Sequence, residues 1–213
     1  MLTVHHLGVS QSERIVWLCE ELDLSYELKV YDRDAVTRLA PPEYKALHPL
    51  GAAPVIQDGD VLLAESGAIV EYIVARYGKG RLVLAPDHPD FAQFLYWFHF
   101  ANGTLQPATG RNMILGRLDL PADNPLIKAM KARLDLALGL VEARLEKADY
   151  LAGAQLTTAD IMAVFTLTTM RNFLQFDLAS YPAIRAYLQR IAARPAYQRA
   201  MHKGDPGMPL LLT

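Results

Sequence analysis

A chain of 213 residues with 52% apolar and 21% charged content is long enough to bury one large core or two smaller ones. Its 21 basic and 23 acidic residues leave a formal charge of −2 with no Lys or Arg run longer than two, so the electrostatic footprint of nucleic-acid binding is missing. The single cysteine, Cys19, excludes an internal disulfide framework, a CxxC redox pair and a cysteine-rich zinc site. No apolar run approaches the roughly 18 residues of a membrane span, and residues 1–6 show no basic region or long apolar segment, so a cytoplasmic, reducing setting is expected.

Residues 2–6 read as a strand, and Ser12 to Leu22 as a helix with Ile15, Leu18, Cys19 and Leu22 on one face. A second strand over 26–30 completes a βαβ unit, which predicts a parallel pair with a right-handed crossover. After a polar, proline-containing stretch, 55–57 and 61–63 flank Asp58-Gly59, a dipeptide suited to the positive φ angles of a tight hairpin. Ser66 opens a helix to about Tyr77, with Gly78 and Gly80 as stop signals. Residues 79–89 turn to Gly, Pro, Asp and His and read as a linker. Beyond Asp90 every pattern is helical: about 90–116, 124–148, 157–170, 182–193 and a last turn near 195–202. The expected organisation is an α/β domain over 1–78, the linker 79–89 and an all-α domain over 90–213.

Two local features point to chemistry and a third to folding. Pro54 directly precedes a strand, where its missing N–H is tolerated at an edge and a cis bond is available, leaving the Ala53 backbone to pair with an extended peptide. Glu65-Ser66 stands at a strand-to-helix junction, where the Ser66 hydroxyl and the first free helix amides suit a carboxylate and Glu65 suits an adjacent ammonium, together the end of an amino acid. Capping of the helix by Ser66 is the plainer role, worth about 1 kcal/mol. Leu156-Thr157-Thr158-Ala159-Asp160-Ile161 has capping-box spacing, which concerns folding.

Pro54, the hairpin, Leu63-x-Glu65-Ser66-x-Ala68-Ile69, the capping box and the helical second half together resemble the glutathione transferase family over nearly the whole chain. The resemblance implies a thioredoxin-like domain that binds glutathione as co-substrate and a helical domain that holds a second substrate. Carried onto this sequence, Ala53 would hydrogen-bond the cysteinyl backbone after a cis Pro54, and Glu65 and Ser66 would hold the γ-glutamyl end. Where the family often has Lys or Gln two residues before the proline, this chain has Ala52, which leaves Lys45 or His48 to meet the glycine carboxylate.

A glutathione thiol needs help to ionise: lowering a pKa of about 8.5 by about two units takes about 2.7 kcal/mol of preference for the anion. The turn after the first strand offers Ser10 and Ser12. Ser10-Gln11-x-x-Arg14 is similar to the serine-type branch, in which the first serine bonds the sulfur, so Ser10 is the expected catalytic residue, with Ser12 in reserve and expected to cap the first helix. His6-Leu7, Trp17-Leu18, Tyr31-x-Arg33-Asp34 and Ala40-Pro41-Pro42-Glu43 resemble a fungal and bacterial branch. Cys19, inside an apolar stripe, is expected to be inert. Tyr96, Phe100, Arg111, Met113 and Phe173 are candidates to line the pocket for a small, mostly apolar electrophile, although residues 96–100 also suit a core or dimer interface. The six histidines lack metal-ligand spacing, and no metal site is expected. The family implies a homodimer and a detoxifying conjugation; a glutathione-binding chain without catalysis, or a glutathione-dependent peroxidase or dehalogenase, is the alternative.

Overall fold

In the computed structural model, which describes residues 1–121 and 123–213, the first strand β1 (Leu2–Leu7) is buried along its whole length. It lies inside a sheet of order β2-β1-β3-β4, paired along both edges, with β2 at Glu27–Tyr31, β3 at Val55–Asp58 and β4 at Val61–Ala64. β2 runs parallel to β1 and β3 antiparallel to it, as the βαβ and hairpin signals predict. The hairpin loop is Gly59-Asp60 instead of Asp58-Gly59: Asp58 pairs with Val61, and Gly59 takes the positive φ of 59° at the first loop position.

Helix α1 (Glu13–Glu21) crosses between β1 and β2 with Ile15, Val16, Trp17, Leu18 and Cys19 fully buried. One turn of helix, α2 (Pro42–Lys45), occupies the stretch that the sequence presents as polar coil, started by two prolines that cannot extend a strand ladder. Its Tyr44 packs with Leu7, Val55 and Ala64 in a small core. Helix α3 (Ser66–Tyr77) follows β4.

The helical region contains α4 (Phe91–Phe100), α5 (Gln106–Leu115), α6 (Pro125–Leu145), α7 (Thr158–Leu167), α8 (Pro182–Ala192) and α9 (Pro195–Gly204). The expected helix over 90–116 is interrupted by a π-helical turn at Ala101–Leu105, just before Pro107, whose missing amide breaks the regular ladder. α7 is buried along every residue, and its Thr157–Asp160 capping box is formed. Asp160 also accepts from the Leu151 amide at 2.9 Å and the Tyr187 hydroxyl at 3.1 Å, so one carboxylate holds a loop and two helices. Burial pushes its carboxyl up to about 6 against these hydrogen bonds.

The chain divides into two compact units, Met1–Val83 with Ala192–Leu210 and Leu84–Ile191 with Leu211–Thr213. The first break falls within the expected linker. The last helix departs from expectation: α9 belongs to the α/β unit and not to the helical one. Its Tyr197 meets Trp17 of α1 edge to face at 5.0 Å. Arg194 grips Glu21 through two bonds of 2.7 and 2.8 Å, while Arg199 and Lys203 reach Glu20 at 2.9 and 2.5 Å. These partners lie more than 170 residues apart in sequence, beyond any local pattern.

Candidate active site

The turn from β1 to α1 is fixed from several directions. The Gly8 amide donates to the Tyr31 carbonyl at 2.9 Å, and Arg33 donates to the Gly8 and Val9 carbonyls at 2.8 and 3.2 Å. The Val9 amide donates to Asp205 Oδ1 at 2.7 Å, from just beyond the end of α9. Val9 itself holds a φ of 51°, a left-handed conformation that costs a β-branched residue about 1–2 kcal/mol and persists only where its surroundings impose it.

Ser10 follows, nearly buried at 5% exposure, with its Oγ 2.7 Å from Ser12 Oγ and accepting the Ser12 amide at 3.2 Å. Ser12 does not cap α1 with its side chain. Its backbone is already helical, and its hydroxyl turns back to the strand, 3.1 Å from the Leu7 amide, 3.3 Å from the Leu7 carbonyl and 2.9 Å from His6 Nδ1. His6 Nε2 in turn lies 3.1 Å from Asp205 Oδ2. His5 and His6 do point apart, and His5 pairs instead with the Tyr31 hydroxyl at 2.9 Å. Burial, with Lys29 nearby, lowers the His5 pKa.

The Ala53–Pro54 bond is cis. Ala53 is joined to the turn by Gln11, whose amide nitrogen donates to the Ala53 carbonyl at 2.9 Å. The other end of the Gln11 amide accepts from Arg14 at 2.9 Å, and the same guanidinium nitrogen donates to Ser66 Oγ at 3.1 Å. Arg14 is fully buried; desolvation brings its pKa down to about 9 while Glu13 opposes the fall. Ser66 is the first residue of α3 and not its cap, because the cap position falls to Glu65, whose φ of 71° makes it a second strained residue. The Glu65 side chain makes no capping bond and is exposed. Ser10, Ala53, Glu65 and Ser66 therefore all lie in the α/β unit, and Gln11 and Arg14 link three of their segments.

Lys45 is exposed on α2 with its stem beside Gly51, where a Cβ on that glycine would lie 3.9 Å away. His48 is half-buried and uses Nδ1 to accept the Leu50 amide at 3.1 Å, which leaves Nε2 for a ligand. In the helical unit, Tyr96 and Phe100 stack at 5.6 Å and line one groove with Leu95, His99, Thr104 and Leu140. Arg111 is exposed and lines a neighbouring groove with Arg133 and Leu136. Met113 and Phe173 are half-buried and line neither, so these two grooves do not gather all five expected pocket residues. Cys19 is fully buried with its thiol pKa raised by desolvation, as its place in the apolar stripe predicts. Among the described residues no group of three or more His, Cys, Asp or Glu side chains could hold a metal ion, and no helix is long and apolar enough to cross a membrane.

Residues 2–75 match the model of the glutathione S-transferase N-terminal domain, and residues 99–195 match that of the C-terminal domain. A solved glutathione S-transferase from Actinobacillus pleuropneumoniae is 38% identical, with 96% of this chain and 93% of that one covered at a TM-score of 0.87. The chain belongs to the glutathione S-transferase family. Its architecture is accordingly that family's thioredoxin-like unit and helical unit. Glutathione S-transferase 3 of Schizosaccharomyces pombe is 43% identical over 107 residues, which are 50% of this chain and 43% of that protein. This chain thus spans about half the length of the first curated relatives that it matches. A glutathione transferase from Phanerochaete chrysosporium, solved with oxidised glutathione, is 26% identical, with coverage of 95% and 94% and a TM-score of 0.77.

His6, Gln11, Arg14, Arg33 and Asp205 are the residues around this site to which the sequence assigned no part. Gln11 and Arg14 stand inside the Ser10-Gln11-x-x-Arg14 motif, so their spacing carried a signal. Asp205 is 199 positions from His6 and gave none.

Proposed function

We propose that this glutathione S-transferase binds glutathione in its α/β unit and transfers the thiolate to a small, mostly apolar electrophile. The observation that carries this reading is the brace Ala53–Gln11–Arg14–Ser66, which ties a peptide-binding backbone and a carboxylate-binding helix start to the turn that bears Ser10. The Ala53 backbone takes the cysteinyl residue, and the Ala53 carbonyl retains a second lone pair beside the one that Gln11 occupies. The first amides of α3, with Ser66 and the buried Arg14 behind it, take the γ-glutamyl carboxylate, and exposed Glu65 takes the ammonium. Lys45 or His48 takes the glycine carboxylate in place of a side chain at Ala52.

Ser10 is the group that meets the sulfur. No metal enters this chemistry, because the reacting thiolate needs hydrogen bonds and a positive helix end and no Lewis acid. Arg111, Met113 and Phe173 are assigned to the electrophile. Tyr96 lies instead with Leu95, Leu136 and Leu140 on an exposed apolar face of α4 and α6, which fits a homodimer contact. A cytoplasmic setting agrees with a single, buried, unpaired cysteine, and the detoxifying role follows from the conjugation proposed.

Conjugation of glutathione to an activated aryl halide, followed against pH, tests the reading. Glutathione binding with turnover that vanishes in Ser10→Ala supports it; a chain that does not bind glutathione contradicts it.

A further inference from the structure

Asp205, His6, Ser12 and Ser10 form one unbroken row of hydrogen bonds, with successive separations of 3.1, 2.9 and 2.7 Å. His6 and Ser12 are fully buried, and Ser10 is nearly so. For an ionised Asp205 and a neutral His6 ring, the proton count along the row gives each group a direction. An ionised Asp205 only accepts, so His6 Nε2 carries the ring proton. Nδ1 of the neutral ring is then an acceptor and takes the Ser12 hydroxyl proton. Having given its one proton, Ser12 Oγ accepts the Leu7 amide and the Ser10 hydroxyl, which fills both lone pairs. Ser10 Oγ accepts the Ser12 amide and keeps one lone pair for a further donor. The Leu7 carbonyl, at 3.3 Å, is the more distant alternative for the Ser12 proton.

We propose that this row is a proton relay, with His6 the acceptor of the glutathione thiol proton and Asp205 its positioning partner; the proposal rests on the reading of Ser10 as the group that meets the sulfur. The S–H proton passes to Ser10 Oγ, the Ser10 proton to Ser12 Oγ, and the Ser12 proton to His6 Nδ1. One S–H bond breaks and one N–H bond forms. Each serine gives up one proton and receives another, so both end as neutral hydroxyls, and the new charges are a thiolate and an imidazolium held against Asp205. The hydroxyls now point the other way: His6 donates to Ser12, Ser12 to Ser10, and Ser10 to the sulfur anion. The same residues thus remove the proton and then supply the donor that stabilises the product.

The surroundings of His6 keep this row intact. Gly204, the last residue of α9, lies against the ring, and a Cβ there would sit 3.0 Å from Nε2. Of the charged groups on the packed elements, Asp205 touches the ring, Lys203 of α9 is turned to Glu20, and His202 is exposed. Arg33, after β2, faces Asp205, Glu13 of α1 interacts with Arg14, and His5 and Lys29 lie on the strands beside it.

The test counts protons. Calorimetry of glutathione binding at neutral pH, in buffers of different ionisation enthalpy, measures release to solvent, while ultraviolet difference absorbance measures thiolate formed. The relay predicts thiolate with almost no proton released, because the proton stays on His6. In Asp205→Asn the Val9 amide keeps an acceptor, but the new amide donates to His6 Nε2 and drives the ring proton to Nδ1, which removes the acceptor. Glutathione then binds within a few-fold of wild type, with the thiolate lost and kcat/KM down about 100-fold or more. Thiolate accompanied by one released proton in wild type, or thiolate retained in Asp205→Asn, overturns the relay alone. Glutathione bound without thiolate in wild type, or not bound, overturns the transferase reading together with it.

Discussion

The side-chain amide of Gln11 donates to the Ala53 carbonyl at 2.9 Å, joining the turn that carries Ser10 to the segment that precedes Pro54. Because the same side chain accepts from Arg14, and Arg14 donates to Ser66, one hydrogen-bonded brace ties the Ser10 turn, the Ala53 segment and the start of α3 together.

Gln11→Ala removes both ends of that brace while leaving Ser10 and Ser12 in place. Losing hydrogen bonds to a buried charged group is worth about 1.5–3 kcal/mol. Glutathione affinity is therefore expected to fall by roughly 10-fold or more, with the pKa of the bound thiol unchanged. Isothermal titration calorimetry reads the first and absorbance titration the second; a loss of thiolate at full saturation would assign Gln11 to the chemistry instead.

The docking of α9 depends on an acid group. Desolvation raises the Glu20 carboxyl, but hydrogen bonds from Lys203, Arg199 and Tyr26 outweigh it and hold the pKa below its ordinary 4.5. A lowered folded pKa makes this contribution fully present above about pH 4.5 and lost as the pH falls through the folded value. Amide hydrogen exchange over 195–204 is expected to quicken on acidification below that point. Glu20→Gln should show the same fast exchange already at neutral pH, and equal protection of the two proteins there would refute the assignment.

Asp160 behaves with the opposite sign. Its folded pKa of about 6 stands above the ordinary 3.8, so its contribution to stability grows as the pH falls through 6 toward 4. Asp160→Asn keeps the shape but presents an N–H group to donors from Leu151, Thr157 and Tyr187. A loss of about 2–4 kcal/mol in urea unfolding is expected. The deficit should be larger at mildly acidic than at neutral pH; a deficit that shrinks on acidification would contradict the raised pKa.

Much of this molecule was legible because its signals are local. The βαβ order, the hairpin, the capping box and the apolar stripe of α1 each depend on spacings of a few residues, and each is present. The hairpin loop is one residue displaced because Asp58 stays in the ladder, buried against Tyr72 and Tyr77. Ser12 and Ser66 were both readable as caps from their positions, yet each hydroxyl is used elsewhere, Ser12 by His6 and Leu7 and Ser66 by Arg14. Those partners belong to other segments, and a linear pattern cannot weigh them against an N-cap. The return of α9 to the α/β unit escaped for the same reason: it rests on ion pairs with Glu20 and Glu21 and on the fit of Tyr197 to Trp17.

Stabilisation of a glutathione thiolate by Ser10 is measured by ultraviolet difference titration of the bound thiol in wild type and Ser10→Ala. A thiol ionised near neutrality is expected in wild type, with its pKa about two units higher in Ser10→Ala, toward the free value of about 8.5, and affinity kept within a few-fold. An identical thiol pKa in the two proteins, at equal saturation, would contradict it.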